Sequence, residues 1–227
     1  MNIFARSLVV LGTCLALYAC AGPAPAIQHR FPMEMLNNSP PEVRAPVAEA
    51  YNAHYEAKLK LAHMEFMLKD VEYDFRMAKA EKKMAKQKMD MEKIKSERNK
   101  FAYKTKLMDA AKSAMLGFGN RSTAMNDKLS YLKSQQKYLR KGVLHARANV
   151  DHTEARFELA KARLAQERKT IPKGFKLEKF VKQEKRTAKI ANKKSQKTKS
   201  AESDAKSKLR IWNKANKPSP ASIKSSK

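Results

Sequence analysis

Hydrophobic positions recur with helical spacing over most of this chain. Between 122 and 171, Met125, Leu129, Leu132, Gln136, Leu139, Val143, Ala146, Val150, Thr153, Phe157, Ala160, Leu164, Glu167 and Ile171 advance by four and three residues without a slip. All but Gln136, Thr153 and Glu167 are apolar. A heptad seam of this kind requires a partner helix packed along it. An earlier stripe, Leu61, Met64, Leu68, Val71, Phe75 and Ala78, has the same spacing. It weakens among the lysines of 79–100 and resumes in another phase at Met91, Ile94, Phe101 and Met108, the pattern of a stutter or a poorly packed stretch. Pro46 suits a first helical position. Ser39 with Glu42 offers a capping box and an earlier start near 41. After Pro46 neither proline nor glycine occurs until Gly117-Phe118-Gly119-Asn120, where two glycines can take positive φ and reverse the chain.

The pattern therefore predicts an all-α fold: an elongated antiparallel helical hairpin, or coiled coil, over 46–172. Its helices cover about 46–116 and 122–171, with the turn at 117–121. Reversal at 119 sets Ile171 opposite Met67 and leaves 46–66, with Tyr51, His54 and Tyr55, beyond the end of the partner helix. That overhang calls for the third segment or a second protomer, so homo-oligomerisation is an open expectation. Gly142 interrupts the second helix at a cost of about 1 kcal/mol, and either permits close approach or marks a soft point. Pro172-Lys173-Gly174 ends that helix. Residues 173–227 form a Lys-rich tail, helical to about 212 on a weak apolar side (Phe175, Phe180, Val181, Ala188, Ile190) and disordered beyond.

Composition agrees with long helices. Ala, Glu, Lys, Leu and Arg make up half of the 227 residues, and glycine is rare. Two cysteines exclude a disulfide framework or a Cys-rich zinc site. The amino-terminal end changes the picture more. Leu8 to Leu17 is an uncharged apolar run of ten, too short to span a bilayer but the length of a signal-peptide core. Leu17-Tyr18-Ala19-Cys20 follows. This resembles the lipobox of bacterial lipoproteins, although Tyr18 is less usual at its position than Ala or Ser. The resemblance implies a signal peptide over 1–19, acylation of Cys20, and, with Ala21 next, anchoring to the outer membrane facing the periplasm. Cys14 would leave with the signal and Cys20 would take the lipid, so no free thiol would remain, as suits an oxidising compartment. Residues 20–45, with Pro23, Pro25, Pro32, Pro40 and Pro41 and no helical period, read as a disordered tether.

The net charge is +27. It is uneven: 41–75 is slightly acidic, whereas 173–227 carries 18 Lys and Arg against 4 Asp and Glu. Lys176, Lys179, Lys182, Arg186, Lys189 and Lys193 recur every three or four residues, so one helix face carries all six. Such a face attracts polyanions: in an envelope, peptidoglycan carboxylates, lipopolysaccharide phosphates, acidic headgroups or an acidic protein. A solvated face that keeps the rod soluble is the bland alternative. The chain ends on Lys227. The major lipoprotein of enteric outer membranes is similar in ground plan only, with a lipidated Cys, a coiled coil and a final Lys joined to peptidoglycan. That similarity implies attachment through Lys227 as a minor expectation.

No catalytic constellation is present. His29, His54, His63, His145 and His152 form no HExxH or Cys/His cluster, and neither a GxSxG elbow nor a phosphate-binding loop occurs. Met77, Met84 and Met91 recur at seven, a spacing expected of core filler rather than a thioether copper site. The expectation is a non-enzymatic protein without metal or cofactor. Two other functions compete with tethering. One is a holdase resembling the Skp-type periplasmic chaperones, also basic with long helical arms, although no strands for that family's β-barrel body are legible here. The other is nucleic-acid binding on charge alone, disfavoured by the export signal and by the lack of aromatics interleaved with the basic run.

Overall fold

The computed structural model describes residues 26–36 and 39–215. Among these the fold is all-α and contains no strand. A 3-10 turn at Met33–Leu36 and another at Glu42–Arg44 lead into α1, Ala45–Phe101. Helix α2 is Thr105–Glu167 and α3 is Leu177–Ala215. Helix α2 is the middle element: α1 packs along one of its faces and α3 along another, both antiparallel to it. At about 1.5 Å per residue, α1 spans about 85 Å and α3 about 58 Å. A root core joins Phe31, Leu36, Val47, Leu159, Ala162, Leu164, Ala165 and Phe180. A second core along the shaft joins Val71 and Ala78 of α1 to Leu132 and Leu139 of α2.

The reversal differs from the sequence expectation. Gly117, Phe118, Gly119 and Asn120 lie inside α2, and the chain turns at 102–104. There Tyr103 takes φ 55°. Its N–H donates to Lys100 O, and that of Lys104 donates to Asn99 O at 2.9 Å. These bonds form a Schellman motif, usually closed by glycine. A second one ends α2: Lys169 has φ 55° and donates to Gln166 O, and Thr170 N donates to Ala165 O. The physical reason is packing. Turning at 103 pairs Glu65 with Arg147 (2.7 Å), Glu72 with Arg140 (3.0 Å) and Glu81 with Lys128 (3.8 Å). This register leaves no overhang. Val47, His54 and Ala57 are buried, Tyr51 lies against Phe157, and His54 Nδ1 meets Thr153 Oγ1 at 3.3 Å. The apolar surface thereby removed from water outweighs about 1–2 kcal/mol for one left-handed residue.

Other expectations are revised. The α1 seam does not change phase: after Ala78 it continues through Lys82, Ala85, Met89, Glu92, Ser96 and Asn99, all buried or half-buried. Met91, Ile94 and Phe101, read as a resumed stripe, point outward, and so do Met77 and Met84, which are therefore not core filler. No capping box forms at Ser39; the 3-10 turn takes the place of the cap. The tail as far as Ala215 is a packed helix, docked on α2 by Phe180, Thr187, Ala191, Ala201 and Ala205. Gly142 is a point of close approach: a Cβ there would press on the Met64 terminal methyl of α1, with Thr198 of α3 4.0 Å away.

Candidate polyanion-binding surface

Helix α3 owes its orientation to a seam that is small and polar rather than apolar. Phe180, Glu184, Thr187, Ala191, Lys194, Thr198, Ala201, Ala205, Lys208 and Trp212 step by four and three and lie buried or half-buried. Small side chains let the two backbones come close. Thr198 Oγ1 bonds Lys141 O at 3.1 Å, and Trp212 stacks on Tyr131 with centroids 5.6 Å apart. His152 Nε2 and Glu184 Oε1 are 3.0 Å apart. The opposite, outward face of α3 carries Lys179, Lys182, Arg186, Lys189 and Lys193, and Lys176 precedes its first turn; all six are exposed. The structure thus brings the six candidate residues to one surface. Because α3 runs back along α2, this cation row lies at the root end, offsetting the acidic first half of α1.

A second feature of the root is absent from the sequence reading. Residues 26–31, expected to belong to a disordered tether, are strapped across α2 and α3. Gln183 Oε1 accepts from the backbone N–H of Gln28 (2.7 Å) and His29 (2.9 Å), and Gln183 Nε2 donates to His29 O (3.0 Å). Glu158 and Lys161 form a buried ion pair at 2.8 Å. Glu158 Oε2 accepts from Phe31 N–H at 2.6 Å, and Lys161 Nζ donates to Phe31 O at 2.8 Å. Both backbone groups of Phe31 are therefore paired within a buried site, where leaving one unmade costs about 1–3 kcal/mol. Arg30 meets Glu154 at 2.8 Å, and Arg186, one of the six cations, donates to Ala26 O at 2.6 Å. In sequence, Glu158 and Lys161 look like an ordinary surface pair three apart, and nothing marks Gln183.

Burial perturbs a few groups. It lowers the His54 imidazole below its ordinary value, reinforced by Lys58 and partly opposed by Glu154. It lowers His145 in the same way. It raises the Asp151 carboxyl, with Glu154 adding to the effect and Lys194 opposing it. None of these groups belongs to the cation row. Among the described residues no cluster of three or more His, Cys, Asp or Glu could hold a metal, and no helix is long and apolar enough to cross a membrane. Cys20, the rest of the signal segment, Lys227 and the Lys217-Pro218-Ser219-Pro220 end lie outside the described residues. The class defined by the fold is an all-α rod of three long antiparallel helices. Comparison with family models, curated proteins and solved structures finds no match.

Proposed function

We propose that the chain is an outer-membrane-anchored, periplasm-facing lipoprotein, a structural rod acylated at Cys20 that tethers an anionic envelope partner through the cation row of α3. The observation that carries this reading is the row itself. Five exposed Lys and Arg side chains stand on one face of a helix whose other face is docked on α2, and Lys176 extends the row just before it. A docked helix presents its charges in fixed register, which a disordered lysine tail does not. The strap adds a distance argument. Six residues from Cys20 to Ala26 reach at most about 20 Å, and Ala26 is held by Arg186 within the row. An acylated Cys20 keeps the row close to the bilayer that carries the anchor, so the acidic headgroups of its periplasmic leaflet are the nearest polyanions, with lipopolysaccharide phosphates across the same membrane. Peptidoglycan carboxylates or an acidic protein are the alternatives.

Removing 173–227 is a poor test, because it would uncover the α3-facing side of α2. The better one replaces all six cations with Gln in the full chain and measures retention on lipopolysaccharide micelles and on purified sacculi. Low ionic strength is used, where the Debye length is about 30 Å. The account expects retention to fall at least about tenfold, each cation near an anionic surface contributing about 1 kcal/mol. Unchanged retention refutes it. One observation favours a second reading, a holdase resembling the Skp-type chaperones: a groove floored by Phe75 and Leu129 is rimmed by Arg76, Lys79, Lys82, Lys83 and Lys86. Suppression of outer-membrane-protein aggregation by the wild type and the six-fold variant alike would favour that reading.

A further inference from the structure

The opposite end of the rod carries a different surface. Stacking of Trp212 on Tyr131 sets the level at which α3 ends. From there to the reversal, α1 and α2 form a two-helix pair in which α1 contributes a largely polar seam (Lys82, Glu92, Ser96, Asn99) and α2 an apolar one (Met108, Ala111, Met115, Phe118). Other large apolar side chains in this half face out: Met91, Ile94, Leu107 and Leu116 are exposed, Phe101 is 85% exposed and Tyr103 94%. Exposed large apolar residues also occur singly along the rod, Phe66 and Tyr73 among them, but the two most exposed among the described residues, Phe101 and Tyr103, meet at the reversal, and such a grouping marks a contact surface. Lys93, Arg98, Lys100, Lys104 and Lys106, all exposed, surround it and outnumber the exposed carboxylates Asp90, Glu97 and Asp109.

We propose that the hairpin tip docks onto a bilayer of anionic phospholipid, inserting Phe101 and Tyr103 at the headgroup level. The lysine collar requires a partner of negative charge. A second copy of the tip has the same sign and is repelled. Residues 216–227 have the wrong sign as well, with Lys217, Lys224 and Lys227 and neither Asp nor Glu. The patch is the convex end of a hairpin. A protein would have to supply a fitted pocket for two projecting rings, whereas a bilayer interface deforms around them. Aromatic and aliphatic side chains beside lysines are the composition of interfacial membrane contacts, and juxtamembrane cations add attraction to anionic headgroups. The tip lies about 85 Å along α1 from the root, so this contact is separate from the cation row of α3. It does not depend on acylation of Cys20. Where both contacts are made, the rod bridges two surfaces.

The test uses the full chain with Phe101→Trp and Trp212→Phe, so that a single indole reports on the tip however the rest of the chain binds. It is mixed with phosphatidylcholine vesicles, with or without phosphatidylglycerol. The expected result is a blue-shifted emission, quenched by brominated lipid, only with the anionic vesicles and reversed by salt. Adding Lys100→Gln, Lys104→Gln and Tyr103→Ser, all at exposed positions, should raise the lipid concentration at half-shift about tenfold. Far-ultraviolet circular dichroism checks that the helices persist. Three results overturn the proposal. In one, the indole keeps its emission in water while the chain sediments with vesicles, so another part binds. In another, the shift is equal on phosphatidylcholine alone. In the third, soluble polyglutamate shifts the emission and vesicles do not, which assigns the tip to an acidic protein.

Discussion

Alanine in place of the helical and turn glycines separates the observed topology from the one the glycine pattern suggests. Gly117 lies in mid-helix, with nothing within 4 Å of a Cβ placed on it. At Gly119 such a Cβ would make an ordinary contact with Met89 Sδ at 3.8 Å. Neither has positive φ; Gly174, in the link between α2 and α3, does, at 78°. Alanine in a helix interior is favoured over glycine by about 0.5–1 kcal/mol, so Gly117→Ala with Gly119→Ala should stabilise by about 1–2 kcal/mol. For a chain of this size 1 kcal/mol moves Tm by about 2–4 °C. The double variant should therefore melt about 2–8 °C higher. Gly174→Ala puts a Cβ into left-handed backbone at a cost of about 1–2 kcal/mol and should melt lower. Thermal unfolding followed by far-ultraviolet circular dichroism reads both. A lower Tm for Gly117→Ala with Gly119→Ala would refute the reasoning: the chain would then reverse at 117–121, and the whole pairing of α1 with α2 would be displaced.

Other outcomes follow from the root and the α3 seam. Glu158→Ala leaves Lys161 buried without its carboxylate and Phe31 N–H without an acceptor, so urea unfolding should show a loss of about 3–5 kcal/mol; a loss typical of an exposed pair would show that the strap does not fold as described. Burial holds the folded-state pKa of His54 and His145 below the unfolded value. Their stabilising contribution is therefore complete above about pH 6.5 and declines as pH falls below it toward the folded-state values. Tm should drop on acidification through that window, less so in His54→Gln; an equal drop in the variant would remove His54 from the account. Ala201→Glu forces a carboxylate into the small-residue seam, where α3 closes on α2. It should free the carboxy-terminal part of α3, seen as red-shifted Trp212 emission and faster acrylamide quenching, and unaltered fluorescence would argue that α3 is not docked there.

Helix content and the α2 seam were legible because Leu132, Leu139, Val143 and Leu164 keep one spacing and carry large apolar side chains. The reversal was not legible. Glycine usually supplies left-handed backbone, but at both helix ends Tyr103 and Lys169 adopt it, and long-range burial of 45–66 against 140–165 decides where α1 stops. Helix α3 looked like a tail because its seam is built from Thr187, Ala191, Thr198, Ala201 and Ala205. Those residues pack by close approach, not by bulk, and small and polar side chains give little hydrophobic signal. The second half of α1 misled for a related reason: Met91, Ile94 and Phe101 face water while Ala85 and Ser96 face α2. The cation row was legible as a face, since three-and-four spacing fixes it whatever it packs against. Its place at the root was not, because that depends on α3 folding back. The strap was hidden because its partners, Glu158, Lys161 and Gln183, are residues that surfaces ordinarily carry.

The identity of the anchor decides which polyanions the α3 row meets, so the most direct measurement is the mass of the amino-terminal peptide of the protein taken from fractionated envelopes. The account predicts outer-membrane material whose chain begins at Cys20 and carries acyl groups, with Cys20→Ser released from that fraction. An intact Met1 terminus without lipid, on protein recovered outside the envelope, would contradict it.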